Sequence, residues 1–302
     1  MLSRFGQGLV TVFLASLVVF VLIRAVPGDP AVIMLGEQAT SEDLGRLRSV
    51  MRLDRPLYEQ YMAFLGQLLA GDLGMSIRFQ RPAGELVKDR LGATAALAGA
   101  GLGLACLIGV PIGVLGAVRA GSLTDRAVRV AALLSQAIPG FWLGLVLITI
   151  FAVQLRVLPA SGGGDFSHLI LPALTLASFL LGLTIRLTRA SILDVLKQDF
   201  IRTARSKGLA ERVIAFRHAL RNALIPVVTV LGLQVGTLLG GAVITEAVFA
   251  WPGIGNLAVL AIYQRDYPVV QAVVLLSAVV FVVTNILVDL LCTWIDPRLR
   301  RS

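Results

Sequence analysis

The sequence predicts an all-α, polytopic membrane protein with six transmembrane helices, a small helical extracytoplasmic segment and short helices in the cytoplasmic loops. Three observations lead there. Of 302 residues, 57% are hydrophobic and only 15% are charged. Six charge-free apolar stretches of at least 19 residues run over 5–23, 91–118, 130–155, 166–185, 222–245 and 267–288. Lys and Arg then concentrate in alternate connecting segments. At 1.5 Å rise per residue, about 20 residues cross a hydrocarbon layer of roughly 30 Å.

The first stretch follows Arg4 and precedes Pro27-Gly28, as a signal peptide would. Its apolar core exceeds the usual ~7–15 residues and no A-x-A-like cleavage site follows, so it reads as an uncleaved first span. With the N-terminus inside, the inner side holds 16 basic residues against five acids, and the outer loops hold ten against twelve. Basic residues stay on the cytoplasmic side, so both termini are expected there. The net charge of +9 is therefore a topology signal and needs no nucleic acid partner. The expected organisation is a first transmembrane helix over 1–26, an extracytoplasmic helical segment over 27–90, and a five-helix core over 91–302 with its main cytoplasmic loop at 190–225.

In the outer segment, Thr40-Ser-Glu-Asp43 marks a helix start. Leu57, Tyr61, Phe64, Leu65, Leu68 and Leu69 repeat at helical spacing after Pro56, and Gly71-Asp-Leu-Gly74 reads as a turn. Two short amphipathic helices capping the spans are expected, because 64 residues with one apolar stripe make a poor solitary core. Residues 247–264 are also uncharged. Pro252-Gly253 and Gly255 break that helix, and a seventh span would put the basic C-terminus outside, so a short re-entrant or surface helix is predicted.

Small residues recur four apart at Gly99/Gly103, Gly109/Gly113 and Gly232/Gly236/Gly240. That spacing lets helix backbones approach closely, either within one chain or against a second membrane subunit. On the fifth span Gln234, Thr237, Gly241 and Thr245 form a polar stripe. Polar groups at membrane depth either line a pathway or bond a neighbouring helix. Gln136, close to Pro139-Gly140, is a further candidate for the pathway.

Several chemistries are missing. No Asp, Glu, Lys or Arg lies in the middle of a span, only Arg24 and Asp289 at the edges. That argues against a proton relay, while an ion-coupled secondary transporter working through carbonyls stays open. No Gly-Lys dipeptide exists, so no P-loop binds nucleotide, and Ser161-Gly-Gly-Gly164 lies in a short outer loop. Cys106, Cys292, His168 and His218 are too scattered for a metal centre, and the histidines border the membrane rather than pairing within it. The chain is expected to be no enzyme by itself and to bind no metal.

The densest basic cluster lies between the fourth and fifth spans. There 190–207 favours helix, Gly208 offers the left-handed conformation that ends it, and a second helix starts near Ala210. Leu209, Val213, Phe216 and Leu220 share one face, with Arg212, Arg217 and Arg221 mostly off it. Such a segment either docks into a groove on a soluble, acidic-rimmed partner or is a solvated basic helix.

This loop resembles the EAA loop of permease subunits in ATP-binding-cassette importers. Arg202-Thr203-Ala204 occupies the Glu-Ala-Ala triplet, so only the last Ala is retained, and the distance from Gly208 to Pro226 exceeds the general pattern. Both departures match the peptide/nickel branch, whose loops look like Arg-Thr-Ala-Arg-x-Lys-Gly-Leu followed by Arg-His-Ala-Leu-Arg-Asn-Ala-Leu-Ile-Pro. Pro27-Gly-Asp-Pro30, Leu53-Asp-Arg-Pro-Leu57, Gly71-Asp-Leu-Gly74, Leu158-Pro-Ala-Ser-Gly162, Leu171-Pro-Ala-Leu174, Trp251-Pro-Gly-Ile-Gly255, Arg265-Asp-Tyr-Pro-Val-Val270 and Asp296-Pro-Arg298 extend the likeness over nearly the whole chain. The chain is similar to the first of two permeases in dipeptide, oligopeptide or nickel importers.

The resemblance implies a permease in a bacterial or archaeal plasma membrane, forming half of a translocation pathway. Its implied partners are a second homologous permease, two cytoplasmic ATPases that bind the ATP and magnesium, an extracytoplasmic solute-binding protein, and membrane lipid. No cofactor is implied in this chain. Coupling to the ATPases would fall to Arg202, Thr203, Ala204, Arg205, Lys207, Gly208, Arg217, His218 and Arg221, with Pro226 passing movement to the fifth span. Glu246, Trp251 and Asp266 would lie where the binding protein docks. Di- and oligopeptides are the expected solutes, with a nickel chelate, glutathione or an opine as alternatives.

Overall fold

The computed structural model describes residues 2–25, 32, 40–50 and 54–295. Among these, every regular element is a helix, and the one β-type pairing is an isolated bridge between Met75 and Pro82. In order they are α1 (Leu2–Ala25), α2 (Ser41–Val50), α3 (Leu57–Leu69), α4 (Ala83–Val118), α5 (Leu123–Ala137), α6 (Gly140–Leu147, continuing as a π-helix Ile148–Gln154), α7 (Phe166–Val195) and α8 (Asp199–Ser206). A turn at Glu211–Val213 and a π-helix at Ile214–Ala219 lead into α9 (Leu220–Val248), followed by α10 (Ile254–Tyr263) and α11 (Tyr267–Ile295). The family-like segments 27–30 and 296–298, together with Leu53, lie outside the described residues.

Five helical stretches are long and apolar enough to cross a membrane: Gly6–Arg24, Ala83–Val118, Phe166–Val195, Ile214–Gly236 and Tyr267–Val288. The third expected span is not a straight helix. Residues of α5 and α6 together pass the same test, but they meet at a 97° bend. The cause is local: Pro139 has no N–H to donate and forces Ile138 into an extended conformation (ψ 121°). Two other spans outrun their charge-free stretches. Helix α4 has 36 residues and starts at Ala83, and α7 has 30 and ends at Val195. At 1.5 Å per residue they measure about 54 and 45 Å, so their charged ends stand clear of the hydrocarbon. The uncharged segment 247–264 becomes the ten-residue α10, too short to span.

The chain divides into two compact units, Met1–Gly92 with Leu257–Val282, and Ala93–Asn256 with Val283–Ser302. In the first, α3 lies on α1, with Tyr61 Oη 2.9 Å from Ser16 Oγ and the Tyr61 ring edge-on to Phe20 at 5.0 Å. Helix α2 starts at the expected place, Thr40 Oγ1 accepting the Asp43 amide at 3.2 Å.

In the second unit α4, α7 and α9 share a core of Leu97, Ala105, Leu176, Leu180, Leu238 and Trp251. The small-residue spacing on α4 resolves into two faces. A side chain at Gly109 or Gly113 would press on Thr184 or Thr188 of α7, at 2.9 and 2.7 Å, so these glycines serve packing within the chain. Gly99 and Gly103 meet nothing within 4 Å. Gly182 of α7 admits α5, because a Cβ there would run into the Ala132 carbonyl oxygen.

Candidate functional site

The loop between α7 and α9 is built on a dedicated core. Val114 and Ala117 of α4, Ile192 and Val195 of α7, Ile201 and Ala204 of α8, and Ile214, Ala215, Ala219 and Ala223 form one buried cluster. The expected single helix over 190–207 is therefore broken at 196–198, with Gln198 extended (ψ 152°) ahead of α8. Continued straight, the helix would carry Ile201 about 9 Å beyond Val195 and away from that core. The break returns Ile201 and Ala204 to it.

Helix α8 ends as its sequence requires. Gly208 has φ +75°. The Leu209 amide donates to Ala204 O at 3.4 Å and the Gly208 amide to Arg205 O at 2.9 Å. That is the paired 6→1 and 5→2 pattern of a Schellman stop, which satisfies two carbonyls and reverses the chain. Arg205 then grips Glu211 across the turn, Nε to Oε1 at 2.7 Å and Nη2 to Oε2 at 3.2 Å. The guanidinium beside it lowers the Glu211 carboxyl below its usual range.

These contacts sort the coupling candidates. Arg202, Thr203, Lys207, Gly208, Arg217 and Arg221 are exposed, and His218 is half-buried. Ala204 is a correction: at 8% exposure it belongs to the core and offers no surface. Arg205 is exposed but already engaged by Glu211. Phe200, Leu209, Val213 and Phe216 are exposed apolar residues beside these cations, at 41, 38, 39 and 49%. Part of the segment, 214–219, is π-helical, carrying Arg217 and His218 in a wider turn than the α-helix assumed from sequence.

A residue pair missed from sequence braces the same end of α7. Asp125, 1% exposed, accepts from Arg189 Nε at 2.6 Å and Nη2 at 2.8 Å, and from the Gly121 amide at 3.0 Å. Ser122-x-x-Asp125 was legible as a helix start, with Ser122 Oγ accepting the Asp125 amide at 3.3 Å. Arg189, 64 residues away, carried no signal.

The three docking candidates are buried, which corrects their role. Glu246 is fully buried, Asp266 is 1% exposed and Trp251 7%. Glu246 accepts from Thr94 Oγ1 at 2.7 Å and from the Asn256 amide at 3.0 Å, while Thr94 Oγ1 accepts the Ile254 amide at 2.8 Å. Two side chains thus cap the start of α10, where the helix dipole favours a carboxylate. A Cβ on Gly253 would collide with the Glu246 carboxylate, and one on Gly255 would meet Val243 Cα at 2.5 Å. The two glycines of Trp-Pro-Gly-Ile-Gly are there to let that turn close onto α9. Trp251 Nε1 donates to Ala93 O at 2.9 Å.

Asp266 does the same for another loop. It accepts from Ser76 Oγ and from the Ile77 and Arg78 amides at 3.2 Å, fixing the hairpin over 71–82. Gln80 and Arg265 beside it hold φ +52° and +53°, a conformation non-glycine residues adopt at a cost of about 1–3 kcal/mol. What these buried acids leave exposed is Arg78, Phe79, Tyr263 and Arg265.

The pathway candidates are less gathered. Gln234 is half-buried and Thr245 buried on α9, the Thr237 side chain lies outside the described ones, and Gln136 is exposed at the end of α5 before the Pro139 bend. Among the described residues, no three His, Cys, Asp or Glu side chains are placed to hold a metal ion.

Comparison with known proteins gives a consistent result. The family described as "Binding-protein-dependent transport system inner membrane component" matches residues 109–301, and its N-terminal companion matches residues 1–98. The dipeptide transport system permease protein DppB of Escherichia coli K12 is 39% identical over 333 residues, covering 100% of this chain and 98% of that one. The glutathione transport system permease protein GsiC of Escherichia coli K12 is 40% identical over 290 residues, covering 96% and 95%. A chain from inward-facing conformations of the MetNI methionine ABC transporter shares the fold, with TM-score 0.61 and 20% identity over 70% of this chain and 96% of that one.

Proposed function

The chain belongs to the family of binding-protein-dependent transport system inner membrane components, and on that premise we propose that it is a permease subunit of an ATP-binding-cassette importer for small peptides. It forms half of a translocation pathway in a bacterial or archaeal plasma membrane, with both termini in the cytoplasm. A second homologous permease forms the other half, two ATPases drive the pair from the cytoplasm, and a solute-binding protein delivers the peptide. Dipeptides and glutathione are the solutes in the names of the relatives at 39 and 40% identity, and both are short peptides.

One observation carries the mechanism. The loop around Gly208 presents exposed Phe200, Leu209, Val213 and Phe216 among exposed cations, on a turn rooted in the ends of α4, α7 and α9. A soluble partner that seats those apolar side chains moves α8, and α8 is packed to the helices it must tilt. The binding protein meets the surface that Asp266 supports, namely Arg78, Phe79, Tyr263 and Arg265, rather than the buried acids themselves. From α9 the half-buried Gln234 faces the solute or the second permease.

The test is reconstitution into sealed vesicles. The chain alone should give no concentrative uptake of a labelled dipeptide. With the second permease, the ATPases and the binding protein, uptake should follow ATP hydrolysis. Concentrative uptake by the isolated chain would overturn the proposal and favour an ion-coupled transporter.

A further inference from the structure

At the end of α1 lies an apolar cavity of about 500 Å3, formed around Arg24 by Leu17, Val21, Leu57, Tyr58 and Tyr61. Arg24 closes one side of it. Its guanidinium lies 3.5 Å above the Phe20 ring, its Nε donates to Gln60 Oε1 at 2.9 Å, and Nη1 reaches Phe20 O at 3.4 Å. A guanidinium has five N–H donors. Among the described residues it has no carboxylate partner, so its charge is stacked and oriented but not neutralised.

The position of this cation matters as much as its chemistry. Arg24 is the last residue of the candidate span Gly6–Arg24, of which only 22% is buried within the chain. The cavity walls are open: Val21, Leu57 and Tyr58 are 53, 64 and 68% exposed. Leu9, Val10, Phe13 and Leu14 continue the exposed apolar surface along α1. A cation at the head of a long apolar track, with the rings of Tyr58 and Tyr61 in the wall beside it, matches the outline of one phospholipid.

We propose that Arg24 and this cavity hold a single anionic phospholipid, its phosphate on the guanidinium and an acyl chain against Leu17, Val21 and Leu57. A protein partner would have to bring an acid to Arg24 at the edge of the hydrocarbon, where carboxylates are costly. Lipid phosphates already lie at that depth. A zwitterionic headgroup brings its own ammonium beside the phosphate, so a net anionic lipid answers the unneutralised cation better.

The experiment uses the purified chain in nanodiscs of equimolar phosphatidylglycerol and phosphatidylcholine, released into native mass spectrometry. The wild type should retain one phosphatidylglycerol in preference to phosphatidylcholine by about fivefold, the worth of one basic residue near a charged surface. Arg24→Gln should bring the ratio to about one, and Arg24→Lys should keep most of it. Leu17→Trp fills the cavity without touching the charge, and should lower retention of both lipids. Equal retention by the wild type, a preference that survives Arg24→Gln, or retention unchanged by Leu17→Trp overturns the proposal. If Arg24→Gln does not fold, a photo-reactive benzoylphenylalanine in place of Tyr58 decides the matter in intact membranes. A lipid-mass adduct supports the site, and an adduct to a second polypeptide overturns it.

Discussion

Gly208 shows how one residue sets the shape of the loop. A Cβ there would meet nothing within 4 Å, so space does not explain the glycine. The backbone does, because φ +75° costs an L-residue about 1–2 kcal/mol, most for a β-branched one. Gly208→Val is therefore expected to insert into the membrane at normal abundance and to lose transport, while Gly208→Asn, which tolerates that conformation, keeps most of it. Uptake per immunoblotted protein measures both, and equal uptake by the valine variant would mean the stop at Ser206 is not needed. The same reasoning separates glycines by cause: Gly208 is there for its φ, and Gly182 and Gly253 for close approach. Of these three only Gly208 was readable from sequence; the four-residue spacing marked Gly109 and Gly113 for close approach, but Gly182 and Gly253 carry no such pattern.

At the scale of the element, α8 and its turn act as one braced piece. Arg205 and Glu211 make two hydrogen bonds across Gly208. Reversal at Arg205 alone should therefore weaken copurification with the ATPases by deforming the turn. The exchange Arg205→Glu with Glu211→Arg should restore it, and a double variant as defective as the single one would show instead that Arg205 touches the partner directly. Both side chains are exposed, 45 and 59%, so the pair contributes no more than about 1 kcal/mol. Its sign with pH is set by Glu211, whose carboxyl is lowered by the Arg205 hydrogen bonds. The brace is complete above the ordinary glutamate range near ~4.3 and is lost as pH falls through the lowered folded value. Amide exchange over 205–211, taken as a ratio to Glu211→Gln, should fall to unity in acid. That the chain is helical on both sides of Gly208 was legible from sequence, but the π-helical turn at 214–219 was not. The break at 196–198 was not, because it is imposed by Ile201 and Ala204 seeking a core supplied by α4, α7 and α9.

For the whole molecule, the distribution of cations makes an orientation testable. With Cys106 and Cys292 replaced by alanine, a cysteine at Ser206 should react with an impermeant maleimide only from the cytoplasmic side, and one at Ser161 only from the opposite side. Both positions are exposed, so failure to label would not arise from burial. Labelling of both from one side would refute the six-span topology and the assignment of the Gly208 loop to the ATPases. Pro139 adds a reason to test it, since α5 and α6 meet at a 97° bend rather than forming one rod. The candidate docking residues teach the complementary lesson. Glu246, Trp251 and Asp266 were singled out as docking residues by the family resemblance. Their surroundings show that each is spent on packing and holding a turn: Glu246 with Thr94 and Asn256, Trp251 with the Ala93 carbonyl, Asp266 with Ser76, Ile77 and Arg78.

By itself the sequence determined the helical class, the places of five apolar spans, the stop at Gly208 and the family. Each of these rests on short-range physics or on local pattern: charge cannot sit in hydrocarbon, a positive φ needs glycine, and a motif is read residue by residue. Only the tertiary structure decided that Asp125 meets Arg189, that Thr94 and Glu246 cap α10, and that α7 turns aside before α8. The first two depend on buried polar groups finding partners 64 to 160 residues away, and the third on Ile201 and Ala204 reaching a shared apolar core. In a medium without water every such group must be satisfied by whatever packing brings within reach, and packing is a property of the folded chain.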